Sequence, residues 1–409
     1  MKTTTNTEQL YIDNVLGNYG LPPVTFVRGR GLQLWDDEGK EYLDFCSGIA
    51  VTSLGHCHPK LVSAIQKQAE ELLCVSNLYR NETQALLAAK LNEKAGGAGK
   101  VFFCNSGAEA NETLIKLARL YGWQKTGKEG QQYKIVCAEN AFHGRTFGGM
   151  SATPKAKVRE GFAPLVDGFA FAKLNDLDSF AAAIDPDTAA VFIETIQGEG
   201  GVFPASIEFL QGLRKLCDER GVLLMIDEVQ CGIGRTGHFF AFEKAGIQPD
   251  AIGMAKGLGG GVPIGAVWVS DRHAGLFSPG THGTTFGGTP LIATASLAVL
   301  DTIDEEGLLN NVVANGEYVM GRLNELKADL PDYIVEIRGA GFMIGIQIAD
   351  SSFDLVVELR KKGLIVPPAG PDVIRFLPAL TATKADFDKA MEIFASVAKE
   401  RAAALEAKA

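Results

Sequence analysis

The sequence predicts an α/β protein, with a large domain built on a mostly parallel central sheet covered by helices on both faces and a smaller α+β domain beside it. Two observations carry this expectation. Between about residues 59 and 303, short runs apolar on both faces alternate with helical patterns. Strands of that kind belong to parallel sheets sandwiched between helices. Outside this stretch the alternation stops, which sets the expected boundaries: 59–303 for the large domain, with 1–58 and 304–409 combining into the small one.

Along the chain, residues 32–45 (LQLWDDEGKEYLDF) read as a hairpin turning at Asp37-Glu38-Gly39. The doubly apolar strands are 100–104 (KVFFC), 134–138 (KIVCA), 189–193 (AAVFI), 222–226 (VLLMI), 250–254 (DAIGM) and 265–269 (GAVWV). Residues 333–348 contain strands broken by Gly339, Gly341 and Gly345, and 384–409 form a helical tail. Ligands of parallel sheets sit beyond the carboxyl ends of the strands. Those ends carry Asn105-Ser106-Gly107, Asp227 to Gln230, and Lys256, so polar chemistry is expected at one sheet edge.

Composition narrows the class of partner. A chain of 409 residues with 46% apolar and 22% charged side chains can bury a full core and a cleft. Its net charge of -10 repels nucleic acid and anionic lipid, and no basic run offsets it. The seven cysteines are scattered and form no CxxC pair, which fits a reducing compartment and argues against a disulfide framework or zinc ribbon. Residues 1–10 are polar and no apolar run is long enough to span a bilayer, so a cytoplasmic protein without nucleic-acid or membrane partners is expected.

Individually, the strand-end residues have ordinary explanations. A lone lysine is usually solvated, but Lys256 sits between an apolar strand and the glycines of AKGLGGGVPIG. A desolvated amine there has a lowered pKa and can form a Schiff base. Asp227, at the end of another strand, can keep a pyridine nitrogen protonated, which turns pyridoxal 5'-phosphate (PLP) into an electron sink. Gln230 is placed to bond the ring hydroxyl. Ser106, Gly107 and Ala108 open a helix whose positive end suits a phosphate. Phe142 or His143 can cover a planar ring, and Arg145 offers a fork for a carboxylate.

Two rival patterns are weaker. Residues 232–237 (GIGRTG) match GxGxxG, the mark of a nicotinamide dehydrogenase, but do not turn straight from a strand into a helix. His56 and His58 flank Cys57 without further ligands nearby, so no metal site is expected.

NSGAEANE, FHGRT, QGEGG, IDEVQ and MAKGLGGG resemble the signatures of the class III, or ω-amino acid, aminotransferases of PLP fold type I. The resemblance runs from Asn18-Tyr19 to Arg375-Phe376-Leu377-Pro378. It implies Lys256 as the Schiff-base lysine, Ser106, Gly107 and Ala108 as the phosphate loop, Phe142 and His143 as the stacking pair, and Asp227 and Gln230 as partners of the ring nitrogen and hydroxyl. It further implies that Arg145 binds the substrate α-carboxylate and that Thr284 lies near the substrate. Thr285 would reach the phosphate of the neighbouring subunit of a homodimer, and Tyr19 would line the substrate-tail pocket. Glu199 would pair with Arg375 in one half-reaction and release it in the other.

Within the class, VSNLYRNETQ, FFCNSGAEANE and HGTTFGG are most similar to members acting on N2-acetyl-L-ornithine. This implies transfer of its δ-amino group to 2-oxoglutarate, with ornithine, succinylornithine, 4-aminobutyrate and lysine-pathway donors as alternatives. Thr284 stands where the family often has Ser, and Thr289-Pro290 where Asn-Pro is usual; the hydroxyl at 284 is retained.

Overall fold

The computed structural model describes residues 6–407. The first five residues of the polar start and the last two of the helical tail lie outside the described residues.

Three antiparallel strands open the fold: β1 (Phe26–Arg30), β2 (Gln33–Asp36) and β3 (Glu41–Asp44). The hairpin turns where the sequence indicated. Asp36 accepts the backbone N–H groups of Glu38 at 3.1 Å and Lys40 at 2.8 Å, while Gly39 supplies the left-handed step at φ 86°.

Next come β4 (Gly99–Cys104), β5 (Lys134–Ala138), β6 (Phe169–Ala172) and β7 (Thr188–Glu194). A short ribbon follows, β8 (Ile196–Gln197) with β9 (Phe203–Pro204), and then β10 (Leu223–Asp227), β11 (Ala251–Met254) and β12 (Gly265–Ser270). The large sheet has the order β4-β12-β11-β10-β7-β5-β6. Only β12 opposes its neighbours. Residues 255–264 are too few for a parallel crossover, which takes about a dozen residues or more. The chain therefore returns antiparallel, and β4, β10 and β11 all end at the same edge.

Side chains of these strands divide by parity, as period-two geometry requires. Leu224, Ile226, Val191, Ile193 and Ile252 enter one core with Leu87, Leu91, Leu213 and Val299 of the flanking helices Glu82–Lys94, Ile207–Arg220 and Pro290–Glu305. Leu223, Met225, Ala190, Phe192 and Ala251 enter the opposite core with Leu114, Leu117 and Ala118 of the helix Gly107–Thr126. Covering both faces explains why these strands read as continuous apolar runs. Outside the expected strands lies β6, which pairs only with β5 at the sheet edge and leaves Phe169 to Phe171 half-buried.

The C-terminal stretch adds β13 (Ile334–Ala340), β14 (Met343–Ile348), β15 (Leu364–Ile365) and β16 (Val373–Phe376). Of the three glycines expected to break strands, only Gly341 lies in the turn. Gly339 and Gly345 remain inside the ladder, where a β-carbon would stand 2.0 Å from the Met343 carbonyl oxygen or 2.7 Å from Val202. They permit close approach rather than a break. β15 pairs in parallel with β3 and so joins the two ends of the chain. Phe45 contacts Phe376 and Phe387 edge-on at 5.3 and 5.4 Å, locking the helix Lys384–Glu406 onto the same unit. Among the described residues no helix is long and apolar enough to cross a membrane.

Gly265 pairs with Cys104 at the edge of the prospective site, and a β-carbon there would fall 2.2 Å from the Ser106 carbonyl oxygen. Gly265→Ala is expected to cost about 1–3 kcal/mol of stability and to weaken PLP binding by displacing Ser106. Scanning calorimetry and a PLP titration check this; an unchanged midpoint and affinity would contradict it.

Candidate active site

The ends of β4, β10 and β11 enclose a cavity of about 450 Å³, lined by Ser106, Gly107, Ala108, Asp227 and Lys256 among others. At one side the helix Gly107–Thr126 begins. Ser106 caps it by accepting the Glu109 N–H at 3.2 Å, and the Glu109 carboxylate accepts the Asn105 N–H at 2.5 Å. The first turn of a helix leaves N–H groups without intrahelical acceptors, facing the cavity as an anion cradle. Gly107 is required there because a β-carbon would meet Val229 at 2.7 Å.

Asp227 is buried at the end of β10. Its Oδ2 accepts from Asn111 Nδ2 at 2.7 Å and lies 2.9 Å from His143 Nδ1, while Oδ1 accepts the Val229 N–H at 2.9 Å. Burial disfavours charge on His143, but the bond to Asp227 overrides it and pushes the ring up to about 10. One face of His143 stacks on Phe192 with centroids 3.9 Å apart. The structure thus gives His143 a second task, orienting Asp227, beyond the stacking expected of it. Phe142 also lines the cavity.

Lys256 follows β11 directly and adopts φ 44°, a left-handed conformation that side-chain-bearing residues rarely take. Its amine enters the cavity with no hydrogen bond or ion pair to a described residue. Burial lowers its pKa, partly offset by Glu199. An enclosed, unpaired amine, a buried carboxylate fixed by three donors and a helix-start anion cradle fit PLP: Lys256 for the aldehyde carbon, Asp227 for the ring nitrogen and Ser106–Ala108 for the phosphate.

The two arginines differ. Arg145 is exposed at the cavity mouth and makes no ion pair with a described residue. Arg375 is buried, donating from Nη1 to Glu199 at 2.6 Å and Gln230 at 2.9 Å, and from Nη2 to the Pro368 carbonyl at 3.1 Å. Gln230 is thereby engaged on the Arg375 side of the cavity. Thr284, Thr285 and Tyr19 do not line this cavity. Thr284 Oγ1 accepts from Asn105 Nδ2 at 3.1 Å, Thr285 is exposed, and Tyr19 is 91% exposed.

Sequence reasoning missed four participants. Glu194 ends β7 in register with Asp227 and accepts the N–H groups of Phe142 and Gly198 at 3.0 and 3.2 Å; burial pushes its carboxyl up to about 7. The strand-end rule that picked out Asp227 would have found it. Asn111 bridges Asp227 and the His143 carbonyl. Lys155 donates to the Glu199 carbonyl. His282 accepts from Lys116 at Nδ1, 2.9 Å away, so its proton sits on Nε2, 3.0 Å from Thr113 Oγ1. That arrangement fastens the loop bearing Thr284 and Thr285 to the helix Gly107–Thr126.

GIGRTG forms no dinucleotide turn. Arg235 within it is fully buried, bonded to the carbonyls of Phe342 and Pro378. His56 is bound to Asp44 at 2.7 Å, and His58 precedes the first helical residue, Pro59.

Fold and site together define a PLP-dependent transferase of fold type I. The family model described as aminotransferase class-III matches residues 17–398, and the chain belongs to that family. Its members work with PLP on an amino donor and a 2-oxo acid. The acetylornithine aminotransferase of Aquifex aeolicus is 48% identical over 383 residues, covering 94% of this chain and 99% of the relative. That of Caldanaerobacter subterraneus is 46% identical over 387 residues, covering 94% and 97%. Among solved structures, the ornithine aminotransferase of Toxoplasma gondii matches with TM-score 0.93 at 31% identity, covering 98% of this chain and 96% of that one. The N-acetylornithine aminotransferase of Stenotrophomonas maltophilia matches with TM-score 0.82 at 32% identity, covering 95% and 99%.

The His143 pair has a pH signature. The folded value lies above the ordinary 6.5, so the stabilisation is complete below that value and is lost as pH rises through about 10. The melting temperature of the cofactor-free protein should carry this loss, and His143→Asn should flatten it. Fluorimetric melts across that range decide the matter; parallel curves would exclude a charged pair.

Proposed function

We propose that this chain transfers the δ-amino group of N2-acetyl-L-ornithine to 2-oxoglutarate, giving N-acetyl-L-glutamate 5-semialdehyde and L-glutamate, a step of arginine biosynthesis. The observation that carries the substrate reading is the unequal state of the two guanidinium groups. A donor with one carboxylate needs only Arg145, which stands free. Glutamate and 2-oxoglutarate carry two, and the second requires Arg375, which Glu199 neutralises until it is needed. The names of the relatives support the acetylated donor. Ornithine is the second reading, favoured by the T. gondii structure.

Bound PLP supplies an electron sink for the carbanion character that develops when the amine-bearing carbon loses its proton. Asp227, held by Asn111, His143 and the Val229 N–H, would present its carboxylate to the ring nitrogen of the bound cofactor. Lys256 would hold the cofactor through its aldehyde carbon, and its Nζ would serve as the base that takes the proton from the amine-bearing carbon of the donor. Its lowered pKa favours the neutral base. Arg145 orients the donor by a bidentate grip on its carboxylate.

Thr285 reads as a residue lent to a neighbouring subunit. It is exposed and outside its own cavity, near Phe286 at 58% exposure, while Leu78 and Leu16 are 86% and 84% exposed. Exposed apolar side chains of this size support the homodimer reading. Residues 59–303 read as the cofactor-bearing domain and the two flanks as the smaller one. Seven free cysteines suit the cytoplasm.

Lys256→Ala should lose the cofactor absorbance band and at least about 10²–10⁴-fold in turnover, the range for a positioned acid–base group. Conversion of the PLP to the pyridoxamine form, followed amine by amine, tests the donor. Preference for free ornithine or 4-aminobutyrate would overturn the acetylated assignment. Sedimentation of the active enzyme should show a dimer, and an active monomer would refute the role of Thr285.

A further inference from the structure

The release of Arg375 leaves an electrostatic question. Glu199 must give up a contact of 2.6 Å with a guanidinium that is 1% exposed, and a partly buried carboxylate left without a counter-ion is costly. Arg375 does not accompany it. Its side chain is 1% exposed, against 29% for Glu199, and is anchored by Gln230 and Pro368. The backbone of Glu199 is also wedged. A β-carbon on Gly198 would stand 2.2 Å from Gln230 Oε1, and one on Gly200 would stand 2.8 Å from the Asn140 carbonyl oxygen. Gln197 adds an anchor, donating to the Glu139 carbonyl at 2.7 Å. Rotation of the Glu199 side chain is the motion that leaves these contacts in place.

One cation already sits at this residue. Lys155 donates to the main-chain oxygen of Glu199 and makes no ion pair with a described residue, so its remaining N–H donors are unclaimed. It is half-buried, and burial lowers its pKa; Glu199 and Glu194 act in the opposite sense, while Arg375 and Arg145 add to the lowering. Its bond to the Glu199 carbonyl places it beside the cavity, within the field of the same charges, although it does not line the cavity. Of the other nearby cations, Arg145 is committed to the substrate carboxylate and Lys256 to the cofactor.

We infer that Lys155 is a positioning residue for the second half-reaction: its ammonium receives the Glu199 carboxylate when a dicarboxylate occupies Arg375. This rests on the reading of Glu199 and Arg375 given above. The two anions exchange partners, Glu199 passing from Arg375 to Lys155 as the incoming carboxylate passes from water to Arg375, and no net charge is buried unpaired. Substrates with a single carboxylate leave Lys155 bound only to the carbonyl.

A double-mutant cycle tests this on the PLP-bound enzyme by calorimetry, with glutarate as the dicarboxylate and N2-acetyl-L-norvaline as the monocarboxylate, neither of which has a free amine to react. Lys155→Met is expected to weaken glutarate about ten-fold more than the norvaline derivative, as for an ion-pair partner removed from a partly desolvated site, and Lys155→Arg to restore most of the loss. In a Glu199→Gln background the selective loss should vanish, because no carboxylate then needs receiving. Persistence of the loss in that background would mean that Lys155 attracts dianions directly, and equal losses for both ligands would mean a structural role; either overturns the inference. Glu199→Gln alone should favour glutarate over the norvaline derivative. If it does not, the switch reading itself fails, and the inference with it. If it does, while Lys155→Met shows no selectivity, only the inference fails.

Discussion

The site depends on one buried carboxylate held by three donors. Asp227 ends β10 beside Glu194 of β7, in strict register, so the parallel sheet brings two acidic residues to adjacent strand ends under protein cover. Such a pair is unfavourable unless hydrogen bonds and a cation share the load. Asn111 and the Val229 N–H supply the bonds and His143 the cation. Glu194 is satisfied separately, by the N–H groups of Phe142 and Gly198. Since Phe142 and Gly198 open the loops bearing Arg145 and Glu199, the acid that shares the crowded sheet edge with Asp227 also fixes both of those segments.

Legibility from sequence followed the range of each interaction. A position at the end of an apolar strand is a local property, and it sufficed to single out Lys256, Asp227 and Ser106 to Ala108. A hairpin closed by its own Asp36 and Gly39 was legible for the same reason. Lys155 and Glu199 are 44 residues apart, Glu194 and Phe142 are 52, and Lys116 and His282 are 166. No periodicity spans such separations. The reversed direction of β12 was readable in principle, since a short connection forbids a crossover. Gly339 and Gly345 misled because a glycine needed for close approach looks, in sequence, like one needed for a turn.

Arg145 and Arg375 illustrate how identical side chains acquire different chemistry. Arg145 remains solvated, so an anion would meet it at little cost in desolvation. Arg375 has been desolvated in advance and holds two acceptors besides Glu199. Its attraction for an anion is stronger in that enclosed setting, yet a resident anion masks it. Affinity and availability are thus separated by burial.

Arg235 bears on how the polypeptide completes itself during synthesis. Its guanidinium is buried against the carbonyls of Phe342 and Pro378, the latter 143 residues downstream, and burial brings its pKa down to about 10. On a growing chain, the loop after Asp227 emerges from the ribosome long before those carbonyls exist. Until they arrive, Arg235 holds its charge in water and the loop cannot settle against the core. The buried position of that loop therefore requires a segment made long after it, and the end of the chain completes what its middle begins.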